Sequence, residues 1–206
     1  LLMPFFSKAK APSAEAPPPP PPPPPRPLHV GVPLAACSVA VDPVQGTVAV
    51  GSVDGLIKLF GFQGAEIALW PDNTGGDADP SSGRSPVAHL AFATNSGRLL
   101  AVHAPGTLRL WALDGRARLA NTATIDEGAV ALVAPCPGTA WMLLGTEHGG
   151  ACAYDAAGDG ALAPWRLPPP AADDGAAGEA VCALEVNPLD PRRLLCGVRR
   201  GALRVL

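Results

Sequence analysis

A strand–turn–strand pattern recurs four times in this chain of 206 residues. The clearest copy runs from Val50 to Phe60. The others run from Ala101 to Trp111, from Leu144 to Tyr154 and from Cys196 to Leu206. Each has a short apolar strand, a turn closed by glycine, and a second strand. The closing glycines, Gly55, Gly106, Gly149 and Gly201, fall 51, 43 and 52 residues apart. A period in the forties to fifties with two tight strands per unit is the signature of β-propeller blades. Such a repeat buries its faces only against neighbouring copies. The chain is therefore expected to be all-β, with about four blades of a partial β-propeller over residues 31–206. Residues 1–30 form a separate Pro-rich leader, expected to be disordered.

Composition agrees with a buried β-architecture. Hydrophobic residues make up 48% of the chain and charged residues 16%, with a net charge of −3. Nucleic-acid binding leaves a basic footprint, and this chain has none. The five cysteines, Cys37, Cys136, Cys152, Cys182 and Cys196, are an odd number without paired or zinc-type spacing. They read as reduced, mostly buried thiols in a cytoplasmic protein. No apolar run reaches the length of a membrane span. The first residue is Leu, and the last lies inside a strand, which reads as a fragment with Met3 as a candidate start.

The leader holds an unbroken proline run from Pro17 to Pro25. It predicts polyproline II, which makes no internal hydrogen bonds and needs no core. Two readings stand: a ligand for SH3, WW or profilin-like surfaces, and a stiff spacer. The spacer is preferred, because composition alone identifies no partner.

The first unit opens near Ala36 with an alternating strand that stops at Asp42-Pro43. Asp bonds the backbone two residues on and Pro fixes φ, so the pair ends a strand. Strands are predicted at 47–50 and 56–60, then at 86–92, 98–102 and 107–111. The third unit spans 129–154, and the fourth has strands at 181–186 and 194–196. Residues 71–86 and 156–179 are read as exposed loops. The structural turn residues are Asp42, Pro43, Gly51, Gly55, Gly106, Gly145, Gly149, Gly197 and Gly201, with positive φ expected of the closing glycines.

Along the third strands, Ile57, Leu108, Ala151 and Leu203 share a face with Leu59, Leu110, Ala153 and Val205. Phe60, Trp111, Tyr154 and Leu206 share the other, together with Lys58, Arg109, Cys152 and Arg204. The three basic residues read as side chains whose stems lie on apolar surface while the charge reaches water. An acidic-partner surface is the alternative. Four blades cannot close a ring, so the face around Val48, Val50 and Leu59 and the strand at Leu203 and Val205 are expected to lack neighbours.

No catalytic constellation stands out. The histidines His29, His89, His103 and His148 have no Cys, His or carboxylate at ligand spacing, and read as turn or surface residues. There is no nucleophile elbow and no phosphate-cradling loop. Asp173-Asp174 reads as a solvated loop, since a metal needs more fixed oxygens. No catalytic residue, cofactor or metal is expected.

Several segments resemble the lethal giant larvae/tomosyn family. Ser38-Val39-Ala40-Val41-Asp42-Pro43-Val44-Gln45, with Val48 to Ser52 and Gly55-Leu56-Ile57-Lys58-Leu59-Phe60-Gly61, is similar to that family's opening blade. Gly64-Ala65-Glu66 is an altered form of its next segment. Leu143 to Gly149 is similar to its Gly-Thr-Glu-x-Gly turn. Asn187-Pro188-Leu189-Asp190, with Leu194 to Gly197, is similar to its Asn-Pro-x-Asp and Leu-Leu-x-Gly segments. The resemblance implies WD-type repeats, so that the four blades are part of an incomplete seven-bladed WD-type propeller, in a non-catalytic cytoplasmic scaffold, peripheral at the plasma membrane through its partners. It implies binding of syntaxin-class SNAREs and regulation of vesicle docking, exocytosis and Golgi-to-plasma-membrane transport. Roles in cell polarity through myosin II and as a regulator of Rab-type GTPases are further implications. The alternative is a generic WD-repeat adaptor in a trafficking or ubiquitin-ligase complex.

Overall fold

The computed structural model describes residues 31–61, 64–69, 85–169, 178–190 and 193–205. The proline run, most of the first long loop and Asp173-Asp174 lie outside the described residues. Among the described residues, fifteen strands form four antiparallel sheets. Sheet 1 contains β1 (Ala36–Asp42), β2 (Thr47–Ser52), β3 (Ile57–Phe60) and β4 (Glu66–Leu69). Sheet 2 contains β5 (Val87–Ala93), β6 (Arg98–His103), β7 (Thr107–Ala112) and β8 (Arg118–Thr124). Sheet 3 contains β9 (Val130–Pro135), β10 (Trp141–Thr146), β11 (Ala151–Asp155) and β12 (Ala161–Leu167). Sheet 4 has three strands, β13 (Val181–Val186), β14 (Leu194–Val198) and β15 (Leu203–Val205).

Within each sheet, strands pair in chain order. The first strands, β1, β5, β9 and β13, pack on one another in sequence, while the outer strands of successive sheets barely touch. The sheets therefore converge along one line and splay outward, as blades of a partial propeller. Among the described residues there is no α-helix.

Every blade is a two-sided wedge. Ile57 and Leu59 face forward into a cluster with Leu90, Phe92, Leu99 and Trp111 of blade 2. Leu108 and Leu110 face forward onto Met142, Leu144, Cys152 and Tyr154 of blade 3. Ala151 and Ala153 face forward onto Val181, Leu184, Leu194 and Cys196 of blade 4. The two-residue alternation read from the sequence thus places both faces of the third strands. Burial on both sides is why the strands read as nearly continuous apolar runs.

Four expectations are corrected. The segment 156–179, read as an exposed loop, contains β12, and the other fourth strands, β4 and β8, lie where no strand was placed. These outer strands are half-exposed and mix polar with apolar residues, so they carry little hydrophobic signal. Gly51, Gly145 and Gly197 are strand residues of β2, β10 and β14, not turn residues. Gly55, Gly149 and Gly201 have positive φ, but Gly106 does not. A side chain on Gly106 would instead crowd the carbonyls of Ile125 and Gly128, at 3.2 and 3.3 Å. Finally, Leu59 is buried against blade 2, and Val50 is buried too. The exposed apolar residues of blade 1 include Val39, Val41, Val44, Val53 and Ile67, and Leu203 and Val205 are exposed as expected.

Candidate functional site

One rim of the blades is built from the same backbone device four times. The turn after each second strand begins at Val53, Ala104, Glu147 or Arg199. Each of these donates its N–H to the carbonyl just before its blade's first strand: Ala35, Pro86, Ala129 and Ala180, at 2.9–3.0 Å. Beside this bond each first strand carries a β-bulge, at Cys37, Ala88, Ala131 and Cys182. A bulge leaves one residue out of the ladder and re-aims its neighbours. The rim is therefore fixed by backbone bonds, and its side chains are left to vary.

The last residue of the second strand locks the turn from inside. Ser52, His103 and Thr146 hold this place in blades 1 to 3, and all are fully buried. Ser52 Oγ lies between Asp54 Oδ1 and the Leu56 carbonyl. Thr146 Oγ1 accepts from Gly150 N–H at 3.1 Å. His103 Nδ1 donates to Ser85 O at 3.0 Å. His103, a turn or surface histidine by its sequence surroundings, is instead internal. Aligning the four repeats places it with Ser52 and Thr146, the signal that marks it as internal. In blade 4 the place is taken by Val198.

The opposite rim carries a second set of small locks. Asp42 Oδ1 accepts from the N–H groups of Val44 and Gln45, at 2.9 and 3.2 Å. Asn187 Oδ1 accepts from Leu189 N–H at 2.9 Å in the matching turn of blade 4. Ser96 and Thr139 hold the Arg98 and Trp141 N–H groups in blades 2 and 3. Asp42 thus ends its strand as expected, with Pro43 exposed in the turn.

The first rim opens over blades 2 to 4 into a polar cavity of about 630 Å³. Its walls include His89, Glu147, His148, Glu179 and Arg199. His89 is fixed by its Nε2–H, which donates to Val130 O at 3.0 Å across the blade 2–3 junction. Glu179 pairs with Arg200 at 2.9 Å. Glu147 and Arg199 form no ion pair among the described residues. On blades 1 and 2 the matching turns carry Val53-Asp54 and Ala104-Pro105. Charge thus concentrates on the blade 3 and 4 side of the rim.

The cysteines are disposed against chemistry. All five are free. Burial raises the thiol pKa of Cys136 and Cys196, and pushes Cys152 up to about 11. Cys37 is raised by partial desolvation and by the Asp54 carboxylate. A reactive thiol needs the opposite shift. The expectation of mostly buried thiols needs correction at Cys37 and Cys182, which are exposed because they are the bulged residues. Among the described residues, no group of three His, Cys, Asp or Glu side chains stands close enough to hold a metal.

No family model matches the sequence. Solved structures share the fold at low identity. The computationally designed protein Ika4 is 17% identical with a TM-score of 0.58, the match covering 86% of this chain and 93% of that one. Chaetomium thermophilum Sqt1 bound to the N-terminus of ribosomal protein L10 is 19% identical with a TM-score of 0.62, covering 83% of this chain and 42% of that one. A chain of the Mitotic Checkpoint Complex is 13% identical with a TM-score of 0.61, covering 82% and 47%. This chain spans less than half of the latter two. The likeness supports the β-propeller fold.

Proposed function

We propose that the chain is a non-catalytic WD-type scaffold whose charged rim on blades 3 and 4 receives a protein partner. The observation that carries this is the rim itself. Its backbone is fixed by four equivalent bonds, while Glu147, His148 and Arg199 stand at an open polar cavity. Fixed polar groups around a concavity favour recognition of a polar partner surface. The residues that resemble the lethal giant larvae/tomosyn family point to syntaxin-class SNAREs as that partner. On this reading the protein is cytoplasmic and reaches the plasma membrane through the SNARE. It regulates vesicle docking and exocytosis, with Golgi-to-plasma-membrane transport, Rab-type GTPases and myosin II-linked polarity as further settings.

The test is a pull-down with cytosolic domains of syntaxin-class SNAREs. Wild-type protein should bind, and the pair Glu147→Lys and Arg199→Glu should weaken binding at least about tenfold, the equivalent of ~1.4 kcal/mol. No binding to any such SNARE, with clean capture of another complex, would replace this reading with a generic adaptor. That second reading has its own support, since Sqt1 and the Mitotic Checkpoint Complex chain are seen with protein partners.

A further inference from the structure

Blade 3 carries a second hollow beside the polar cavity. Among the described residues it measures about 240 Å³, and its walls are almost wholly apolar. They are formed by Gly150, Leu167, Pro168 and Pro169, with the stems of Glu127 and Arg166. The charged ends of those two are turned onto each other, Arg166 Nε donating to Glu127 Oε1 at 2.8 Å. Arg166 Nη1 also donates to the carbonyls of Ala163 and Trp165, so three acceptors hold the guanidinium in place. Sites for small molecules span about 300–1,000 Å³. This hollow is smaller and suits a single large aliphatic side chain.

One turn separates the two cavities. Glu147 and His148 at its start line the polar cavity, and Gly150 at its end lines the apolar one. On the link that precedes β9, Glu127 lines the apolar cavity while Gly128 lies against the His148 ring. A Cβ added to Gly128 would stand 2.9 Å from His148 Cδ2. The crest between the cavities carries no side chain. Gly149 has a φ of 85°, and a Cβ on Gly150 would meet Leu167 O at 3.1 Å and Pro169 Cδ at 3.4 Å. The polar cavity reaches the first strands at His89, Val130 and Ala131, whereas the apolar one lies at the exit of the outer strand β12. Together they make one track that runs outward across blade 3. Glu147 makes no ion pair among the described residues, while Glu179 is neutralised by Arg200.

Resting on the reading of the rim as a partner-binding face, we propose that an extended partner segment lies along this track, with an aliphatic side chain in the apolar cavity and a basic side chain against Glu147. Removal of the aliphatic side chain from water supplies the affinity. The charge pair with Glu147, at an open rim, sets which way the segment runs and rejects an acidic residue there. The bare glycines of the crest let the segment's backbone pass close to the turn.

The test is fluorescence anisotropy on the 206-residue chain, with circular dichroism to confirm β-structure in every variant. The probes are labelled Gly/Ser peptides carrying one Leu and one Lys at varied separations. At least one separation should bind, and replacing its Leu with Ser or its Lys with Glu should each weaken binding about tenfold or more. Pro169→Asp, at an exposed residue, places a carboxylate on the apolar wall and should erase the advantage of Leu over Ser. Glu147→Lys should reverse the preference, so that the Glu peptide binds better than the Lys peptide. Binding at no separation, indifference to Leu→Ser, or an unreversed preference in Glu147→Lys would overturn the proposal. So would SNARE capture that is lost with Glu147→Lys and Arg199→Glu but untouched by Pro169→Asp, which leaves the wider reading of the rim standing. Peptide binding with these dependences and no SNARE capture would instead support the track and remove the SNARE.

Discussion

Val87 of blade 2 occupies the space that a side chain on Gly51 of blade 1 would need. A Cβ built on Gly51 would lie 2.5 Å from Val87 Cγ1 and 2.7 Å from Val87 Cβ. Gly145 and Val181 repeat the relationship between blades 3 and 4, at 2.6 and 2.7 Å. Between blades 2 and 3 the place of the glycine is taken by Val102, which is buried. The glycine is thus a requirement of two particular junctions. Gly145→Val should destabilise by about 2–3 kcal/mol through overpacking, seen as a melting temperature lower by about 5–10 °C. An unchanged melting temperature would mean that the junction has more room than the geometry gives it.

Asp42 is a buried carboxylate that holds two turn amides. Asp42→Ala leaves both amides without that acceptor and should cost about 1–3 kcal/mol. Asp42→Asn keeps an accepting oxygen and should cost less. Urea denaturation of the three proteins orders them, and equal midpoints for wild type and Asp42→Ala would count against the lock.

Leu108 and Leu189 separate packing from composition. Leu108 is fully buried at the blade 2–3 junction, while Leu189 lies in an exposed turn. Leu108→Ala should cost about 2–5 kcal/mol, whereas Leu189→Ala should stay within about 0.5 kcal/mol. Comparable losses in thermal unfolding would contradict the wedge arrangement.

Alkali should weaken the fold through Cys152. Burial raises its pKa from 9.0 to about 11. The neutral thiol is therefore the form the fold prefers, and the unfolded chain releases its proton first. The stabilisation is fully present below pH 9 and is lost as pH rises from 9 towards 11. Tyr154, pushed by burial from 10.0 to about 12, adds a loss at higher pH. Melting curves under reductant, from pH 7 to 11, should fall less steeply for Cys152→Ala than for wild type. Parallel curves would show that the thiol is not desolvated in the fold.

The repeat was legible because its hardest constraints are local. Gly55, Gly149 and Gly201 close tight turns with positive φ, and the apolar alternation of β3, β7 and β11 survives in the letters. The outer strands were not legible. In β8 the sequence Arg118–Thr124 is half-exposed and polar, and its pairing is dictated by β7, a neighbour that a local pattern cannot weigh. The role of His103 was missed for a similar reason. Its burial follows from its place in the repeat and not from its own chemistry. The rim cavity joins residues far apart in the chain, such as His89, Glu147 and Arg199, and only the radial packing brings them together.

The bulges at Cys37, Ala88, Ala131 and Cys182 have a consequence for how such a chain changes over time. Each shifts the alternation by one, so that Val87 shares a face with Leu90 and Phe92 instead of opposing them. The bulged residue belongs to neither wedge, and the turn beside it is held by a main-chain bond and, in blades 1 and 3, by the buried side chains of Ser52 and Thr146. Rim side chains are thereby uncoupled from whether the blades stack. A substitution at Glu147 or Arg199 changes the rim at little thermodynamic cost, while one at Gly145 or Leu108 disturbs a junction. A repeated scaffold of this kind can diversify its allegiances faster than its architecture.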